Sequence, residues 1–312
     1  MQSTERKIVV LGTGGTIAGT ATDASDNVGY RAAQVGVEML VRAVPPLAGQ
    51  SIETRQVAQV DSKDMAHGIW HALAHEVARL IEDDDVAGIV ITHGTDTLEE
   101  TAYFLHRVLA PGKPVVLTAA MRPATSLQPD GPQNLLDAVV IAREPGAAGV
   151  MAVVAGDVHA ANRVRKSHTY RLQAFDSGDA GPIARVEEGG VRRFAPWPRG
   201  EALGVARLGA SAAMWPRVEV VFSHAGARGD LVDALVAQGV RGIVAAGTGN
   251  GTLHHALEAA LERARSAGVA VMRSTRVAGG PVIDAPSARF AGAGELTPWQ
   301  ARVELMLALM TA

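Results

Sequence analysis

Short continuous apolar runs alternate along this chain with stretches in which apolar residues recur every three or four positions. Residues 8–11, Ile-Val-Val-Leu, are the first such run and read as a strand buried on both faces. Runs at 88–92, 115–118 and 149–155 repeat the pattern, and residues 52–60 alternate as a further strand. Helical spacing lies between them. It covers 35–44 (Val37, Leu40, Val41, Val44), where Pro45 and Pro46 stop it, and 65–82 (Ile69, Leu73, Val77, Leu80, Ile81). It returns after Thr97 (Leu98, Ala102, Leu105, Leu109) and after Asp130 (Leu135, Leu136, Val139, Val140). Strands and helices in this alternation predict βαβ units around a parallel sheet.

Residues 189–204, with Pro196, Pro198 and Gly200, have the composition of a linker. A smaller βα pattern follows, with strands expected at 218–222, 242–246 and 269–273 and helices at 231–238, 253–267 and 298–310. The expected fold is α/β in two domains. A larger N-terminal parallel-sheet domain spans 1–190, a linker 191–215, and a smaller C-terminal α/β domain 216–312.

Composition narrows the function classes. With 47% hydrophobic and 20% charged residues and a net charge of −3, nothing favours nucleic acid or an anionic membrane. No apolar run approaches the length of a membrane span. The first strand begins within seven residues, so a cytoplasmic protein without a leader is expected; a trimmed exported precursor would begin the same way. The chain has no cysteine, which excludes disulfides, thiolate metal sites, cysteine nucleophiles and the two-cysteine racemases. His67, His71 and His75 recur at i, i+4 spacing, but opposite the apolar face of their helix, where a solvated stripe is the expectation. No metal and no cofactor are called for.

The candidate chemistry lies at the strand ends. After the first strand Gly12, Gly14 and Gly15 crowd a turn that carries Thr13 and Thr16. Such turns lie at the carboxyl edge of a parallel sheet, where α/β proteins bind ligands. A dinucleotide fingerprint is not met, because Ile17 occupies the third glycine position, and no Walker lysine follows. Thr16 is therefore either a reacting or ligand-binding hydroxyl or part of a tight structural turn. Thr95 and Asp96 sit in the equivalent place after the strand at 88–92, at the start of a helix. There Asp96 with Glu99, and Thr97 with Glu100, have capping-box spacing. Residues 21–33, around Tyr30, read as a long exposed loop. Arg163, Arg165, Lys166 and Arg171 form a basic loop whose default is a solvated face.

These loops resemble the bacterial L-asparaginase and glutaminase-asparaginase family, most closely its type II members. The resemblance rests on TGGTIAG (13–19), VGVEML (35–40), ITHGTDTLEETAYFL (91–105), AMRP (120–123), DGPQNL (130–135) and GTGNGT (247–252), in that order along nearly the whole chain. It implies a two-domain hydrolase of linear amides that assembles as a homotetramer of close dimers with active sites at the dimer interface. Thr16 matches the family's nucleophile and Tyr30 the tyrosine brought over it by a flexible loop. Thr95 and Asp96 match the second motif, and Lys166 the lysine paired with that threonine. Ser62 and Asp96 match residues holding the substrate's amino-acid end, with Gly15 and Lys63 in the same loops. Asn250 matches an asparagine lent by a neighbouring subunit. The chain departs from the pattern at Lys63, usually glutamine. It departs again at 277–286 (VAGGPVIDAP), which lacks the glutamate that often completes the Thr–Tyr group; Asp284 is the nearest acid.

A threonine hydroxyl is a weak nucleophile and needs a base within hydrogen-bond reach. Tyr30 is one candidate. An amine is a base only while neutral, and a neighbouring carboxylate favours its charged form, so Thr95, Asp96 and Lys166 form one coupled proton network. Attack by Thr16, release of ammonia and hydrolysis of an acyl-enzyme is the expected path, with direct attack by a water at Thr95 as its rival. Asparagine and glutamine differ by one methylene, worth ~1–3 kcal/mol in a pocket. The alternatives are the amidase subunit of a tRNA-dependent amidotransferase, and a non-catalytic amino-acid sensor on the same fold.

Overall fold

The apolar run at residues 8–11 is the middle of β1 (Lys7–Gly14), and all four of its side chains are fully buried. The computed structural model describes residues 6–310. The chain divides into two compact units, one running to Val205 and the other starting at Ala206.

In the first unit β1 is followed by α1 (Val37–Arg42), β2 (Ile52–Val60), α2 (His67–Ile81), β3 (Val86–Thr92), α3 (Leu98–Leu109), β4 (Pro114–Thr118), α4 (Gly131–Arg143) and β5 (Gly149–Val154). Then come β6 (Asp157–Ala160), β7 (Arg165–Lys166), β8 (Phe175–Asp176), β9 (Ala184–Glu187) and β10 (Gly190–Arg193). Eight strands form one sheet in the order β10-β9-β6-β5-β4-β3-β1-β2, and β7 pairs with β8 as a separate ribbon. From β5 to β2 every pair is parallel, as the buried apolar runs predict. The antiparallel extension through β6, β9 and β10 is a correction. These strands are short and mixed in polarity, so no apolar run marks them. Accordingly, β10 occupies residues whose composition reads as linker.

Ile8, Val10, Val90, Val116 and Met151 form one core with α1 and α4. The alternate residues Val9, Leu11, Ile89 and Ile91 are equally buried and face the layer of α2 and α3. In α2 the buried face is Trp70, Leu73, Ala74, Val77 and Leu80, whereas Ile69 and Ile81, expected there, are only partly buried. The shift follows Trp70, whose ring stacks on Phe104 at 5.0 Å. Because α1 and α3 lie on opposite faces, the chain changes direction between β1 and β3. That is the switch point at which open α/β sheets offer a crevice to ligands.

The second unit contains β11 (Val218–Phe222), α5 (Asp230–Ala237), β12 (Gly242–Gly247), α6 (His255–Ser266), β13 (Ala270–Thr275), β14 (Ala291–Gly292) and α7 (Pro298–Leu309). Its four strands are parallel in the order β11-β12-β13-β14. Val232, Ile243, Leu257, Leu261 and Phe290 lie in its core. α7 starts on a complete capping box, Thr297 with Gln300, and has proline in its first turn. Both units are thus α/β, the larger one N-terminal.

Candidate active site

β1 ends in Gly14 and Gly15, at φ +104° and +81°, in a left-handed region that other residues adopt only under strain. A Cβ on Gly15 would strike the backbone of Gly94, so the turns after β1 and β3 abut at these two glycines. The short 3-10 turn Thr16–Ala18 follows. Thr16 is 6% exposed, and its Oγ1 lies 2.6 Å from the hydroxyl oxygen of half-buried Tyr30. Either oxygen can be the donor, so one proton is shared by the pair.

The loop carrying Tyr30 is tied at its base. The N–H groups of Thr20 and Arg31 each donate to the other's carbonyl at 2.9 Å. The loop also rests on residues 124–127. Ala21 N–H donates to Thr125 Oγ1 at 2.8 Å, Ser126 Oγ to Asn27 Oδ1 at 2.7 Å, and Leu127 N–H to Ala24 O at 3.1 Å. Long and polar as expected, it is nevertheless fixed by backbone pairing at the residues flanking Tyr30.

The turn after β3 is built from Gly94, Thr95 and Asp96. Neither expected capping box forms at α3. The Thr97 hydroxyl donates instead to Ser62 O at 2.8 Å, and no side chain caps the helix. Ser62, 2% exposed, also accepts the Asp96 N–H on its Oγ at 3.1 Å, which joins the loop after β2 to the one after β3. Behind the turn lies a chain of hydrogen bonds that no sequence motif suggested. Trp70 Nε1 donates to Thr101 Oγ1 at 2.8 Å, and Thr101 Oγ1 lies 2.9 Å from His93 Nε2. His93 Nδ1 in turn faces Gly94 O at 2.7 Å. An indole N–H only donates and a carbonyl only accepts, so Thr101 donates to Nε2 and His93 carries its proton on Nδ1. Full burial pushes the His93 imidazole down to about 4, outweighing the bond to Gly94. His93 is therefore a neutral brace for the turn.

Lys166 comes from the β7–β8 ribbon. Its ammonium donates to Thr95 Oγ1 at 2.8 Å and to Asp96 Oδ1 at 2.6 Å, with the lysine side chain 19% exposed. The ribbon is held by Arg165 Nε on Asp176 Oδ1 at 2.6 Å and by Ser177 Oγ at 2.9 Å from His159 Nδ1. The solvated-face reading of this basic segment thus fails at Arg165 and Lys166. Glu99 also reaches the ribbon, its Oε2 accepting the Lys166 N–H at 3.2 Å. Glu99 is 6% exposed, and burial pushes its carboxyl up to about 8 even though it lies in the first turn of a helix. Capping-box spacing predicts a helix cap at Glu99, and its bond to Lys166 N–H corrects that. The overlooked sign was Tyr103 and His106, four and seven residues on, which give α3 a second buried stripe.

The remaining expected residues lie as follows. Lys63 is exposed, its ammonium 2.6 Å from Asp61 and 3.1 Å from Asp64, and those bonds raise it above the ordinary lysine value. Asn250 lies in the second unit after β12, its amide donating to Ile283 O at 2.9 Å and accepting Ile283 N–H at 2.8 Å. Asp284 is in that unit too and pairs with Arg273 at 2.7 Å. His71 and His75 lie ring against ring on α2, tilted by 47° with centroids 4.5 Å apart. Among the described residues no three His, Asp or Glu side chains gather as a metal site would need, and no helix is long and apolar enough to cross a membrane.

Comparison with known proteins gives matches along nearly the whole chain. The family model Asparaginase, N-terminal matches residues 7–198, and the Glutaminase/Asparaginase C-terminal domain matches residues 217–312. L-asparaginase 2 of Escherichia coli K12 is 38% identical over 310 residues, covering 97% of this chain and 88% of that protein. Glutaminase-asparaginase of Pseudomonas fluorescens biotype A is 35% identical over 311 residues, 97% of this chain and 86% of the relative. The crystal structure of a probable cytoplasmic L-asparaginase from Campylobacter jejuni superimposes with a TM-score of 0.92 at 36% identity. It covers 98% of this chain and 95% of that one.

Proposed function

The chain belongs to the asparaginase–glutaminase family of amidohydrolases, and from that premise we propose that it hydrolyses L-asparagine to L-aspartate and ammonia through a nucleophilic Thr16. One observation carries the reading. Two buried threonine hydroxyls stand on abutting turns, and each has its own proton partner: Tyr30 for Thr16, and Lys166 with Asp96 for Thr95.

In this reading Tyr30 accepts the Thr16 proton as Oγ1 attacks the amide carbon, which requires Tyr30 to have given up its own proton and Thr16 to be the donor in their hydrogen bond. Tyr30 passes that proton to the leaving nitrogen as the tetrahedral intermediate collapses, which expels ammonia and leaves an aspartyl ester on Thr16, and water then cleaves the ester to aspartate and free Thr16. Of the backbone donors in the two turns, Gly15 N–H is committed to Val60 O and Asp96 N–H to Ser62 Oγ. Thr16 N–H and Thr95 N–H remain to stabilise the oxyanion, at about 2.7–4 kcal/mol per donor. Ser62 and Asp96 would hold the substrate's α-amino and α-carboxylate groups. The chemistry needs no cofactor.

A second reading draws support from the Lys166–Thr95 bond, in which a water oriented at Thr95 attacks the amide directly. For the assembly we propose a homotetramer of close dimers in which Asn250 of one copy completes the site of another. Four copies in analytical ultracentrifugation are expected.

The decisive experiment is ammonia release from L-asparagine by the purified chain in the presence of a chelator. We expect one ammonia per aspartate. A requirement for ATP and a partner protein would point to an amidotransferase subunit. Tight binding without turnover would point to a sensor.

A further inference from the structure

We propose that Glu99 is a positioning residue, whose buried carboxyl clamps the backbone N–H of Lys166 and thereby sets where the Lys166 ammonium stands between Thr95 and Asp96. This rests on the reading of Thr95, Asp96 and Lys166 as the proton network of the site. It adds to that network a residue that touches none of the reacting atoms.

Geometry carries the inference. Lys166 belongs to a ribbon only two residues wide on each strand, which has no place in the eight-stranded sheet. Backbone bonds tie the approach to the ribbon to β6, where the Arg163 and Val164 N–H groups both donate to Ala160 O at 2.9 Å, and side chains add to them. Arg165 with Asp176, and Ser177 with His159, fix the ribbon to itself and to β6. Glu99 supplies a bond from α3, the helix whose first turn adjoins Thr95 and Asp96. One residue of α3 thus ties the lysine's main chain to the helix that follows directly on the turn carrying the lysine's two partners.

The chemistry of the clamp is consistent. An N–H donates, so Glu99 need only accept, and the carbonyl oxygen of a neutral carboxyl does that, though more weakly than a carboxylate. The groups around it are Glu100 on its own helix and Arg165 and Asp176 on the ribbon, and burial dominates over all three. A neutral Glu99 leaves Asp96 as the one carboxylate bonded to the Lys166 ammonium. An ionised group in its place would compete for that cation. A carboxyl at a helix N-terminus is most simply a cap, yet neither its spacing partner Asp96 nor the α3 backbone uses it.

The test compares Glu99→Leu, Glu99→Asp and Glu99→Gln. Leucine removes the acceptor, and aspartate draws it back by one methylene. Displacing a reacting group by about 1 Å costs roughly 100-fold. Both variants should therefore lose about that factor in kcat with KM within threefold of the parent. Glutamine keeps a neutral acceptor at full reach and should rescue kcat to within threefold. If Glu99→Leu fails to fold, Glu99→Asp against Glu99→Gln still gives the split. Parent kcat in Glu99→Asp or Glu99→Leu, or no rescue by Glu99→Gln, overturns the proposal. Lys166→Met, run alongside, separates the two levels. If it is inactive while the Glu99 variants are normal, only the clamp falls. If it is fully active, the reading of the site falls, and the crystal structure of Glu99→Asp decides the clamp: a Lys166 ammonium still on Thr95 would overturn it.

Discussion

Gly15 and Gly94 touch: a Cβ built on Gly94 would lie 3.1 Å from Gly15 Cα and 2.7 Å from Ser62 Cβ. Neither position has room for a side chain, and the residue after each glycine is a buried threonine. The approach of two backbones brings the two hydroxyls onto abutting turns. Gly94→Ala should part the turns and push Ser62 away from the Asp96 N–H. Expected is a fall in kcat of about 100-fold together with a lower melting temperature. A Gly94→Ala enzyme with parent kcat would show that the turns need not abut.

Thr16 and Thr95 should behave as one unit. Thr16→Ala and Thr95→Ala should each lower kcat by several orders of magnitude, and the double variant should be little worse than either single one. Steady-state kinetics on the three proteins checks this. Multiplying effects would mean that the two hydroxyls act in independent steps.

His93 gives a pH dependence whose sign can be worked out. Its folded value is about 4 and the unfolded value near 6.5, so the unfolded chain binds the proton more readily. Stability is fully present above pH 6.5 and is lost as pH falls through 4, to the extent of about 3 kcal/mol. His106 and His159, also lowered by burial, act in the same direction. Urea unfolding of the parent and of His93→Gln should show the parent losing about 2–3 kcal/mol more between pH 7 and pH 4. A difference that is the same at both pH values would mean that His93 is not held neutral.

Lys63 departs from the family pattern, and its ammonium is already held by Asp61 and Asp64. A substrate carboxylate would have to share it with both. Lys63→Gln should therefore raise KM for asparagine and glutamine equally, by less than threefold, with kcat unchanged. A tenfold rise, or a rise for one amide only, would mean a direct grip on the substrate.

Much of this organisation is visible in the sequence, for reasons that differ by region. The parallel strands are buried on both faces, so β1, β3, β4 and β5 appear as apolar runs, and the glycine turns after β1 and β3 mark the carboxyl edge of the sheet. Short antiparallel strands such as β6 and β10 have mixed composition and leave no comparable trace. Thr16 and Thr95 stand in motifs, whereas the partners that fix them come from distant segments. Lys166 lies 71 residues beyond Thr95, in a stretch whose charges suggest solvent. Glu99 is hidden because capping-box spacing offers it a simpler role, and His93 because no spacing marks it; the structure shows that both are buried.

The most direct measurement is rapid acid quenching of the enzyme during asparagine turnover, followed by peptide mass spectrometry. The account predicts an aspartyl ester on the peptide containing Thr16, absent from Thr16→Ala. An ester on Thr95 would contradict it. So would sustained turnover with no ester on any residue, the result expected if water attacks the amide directly.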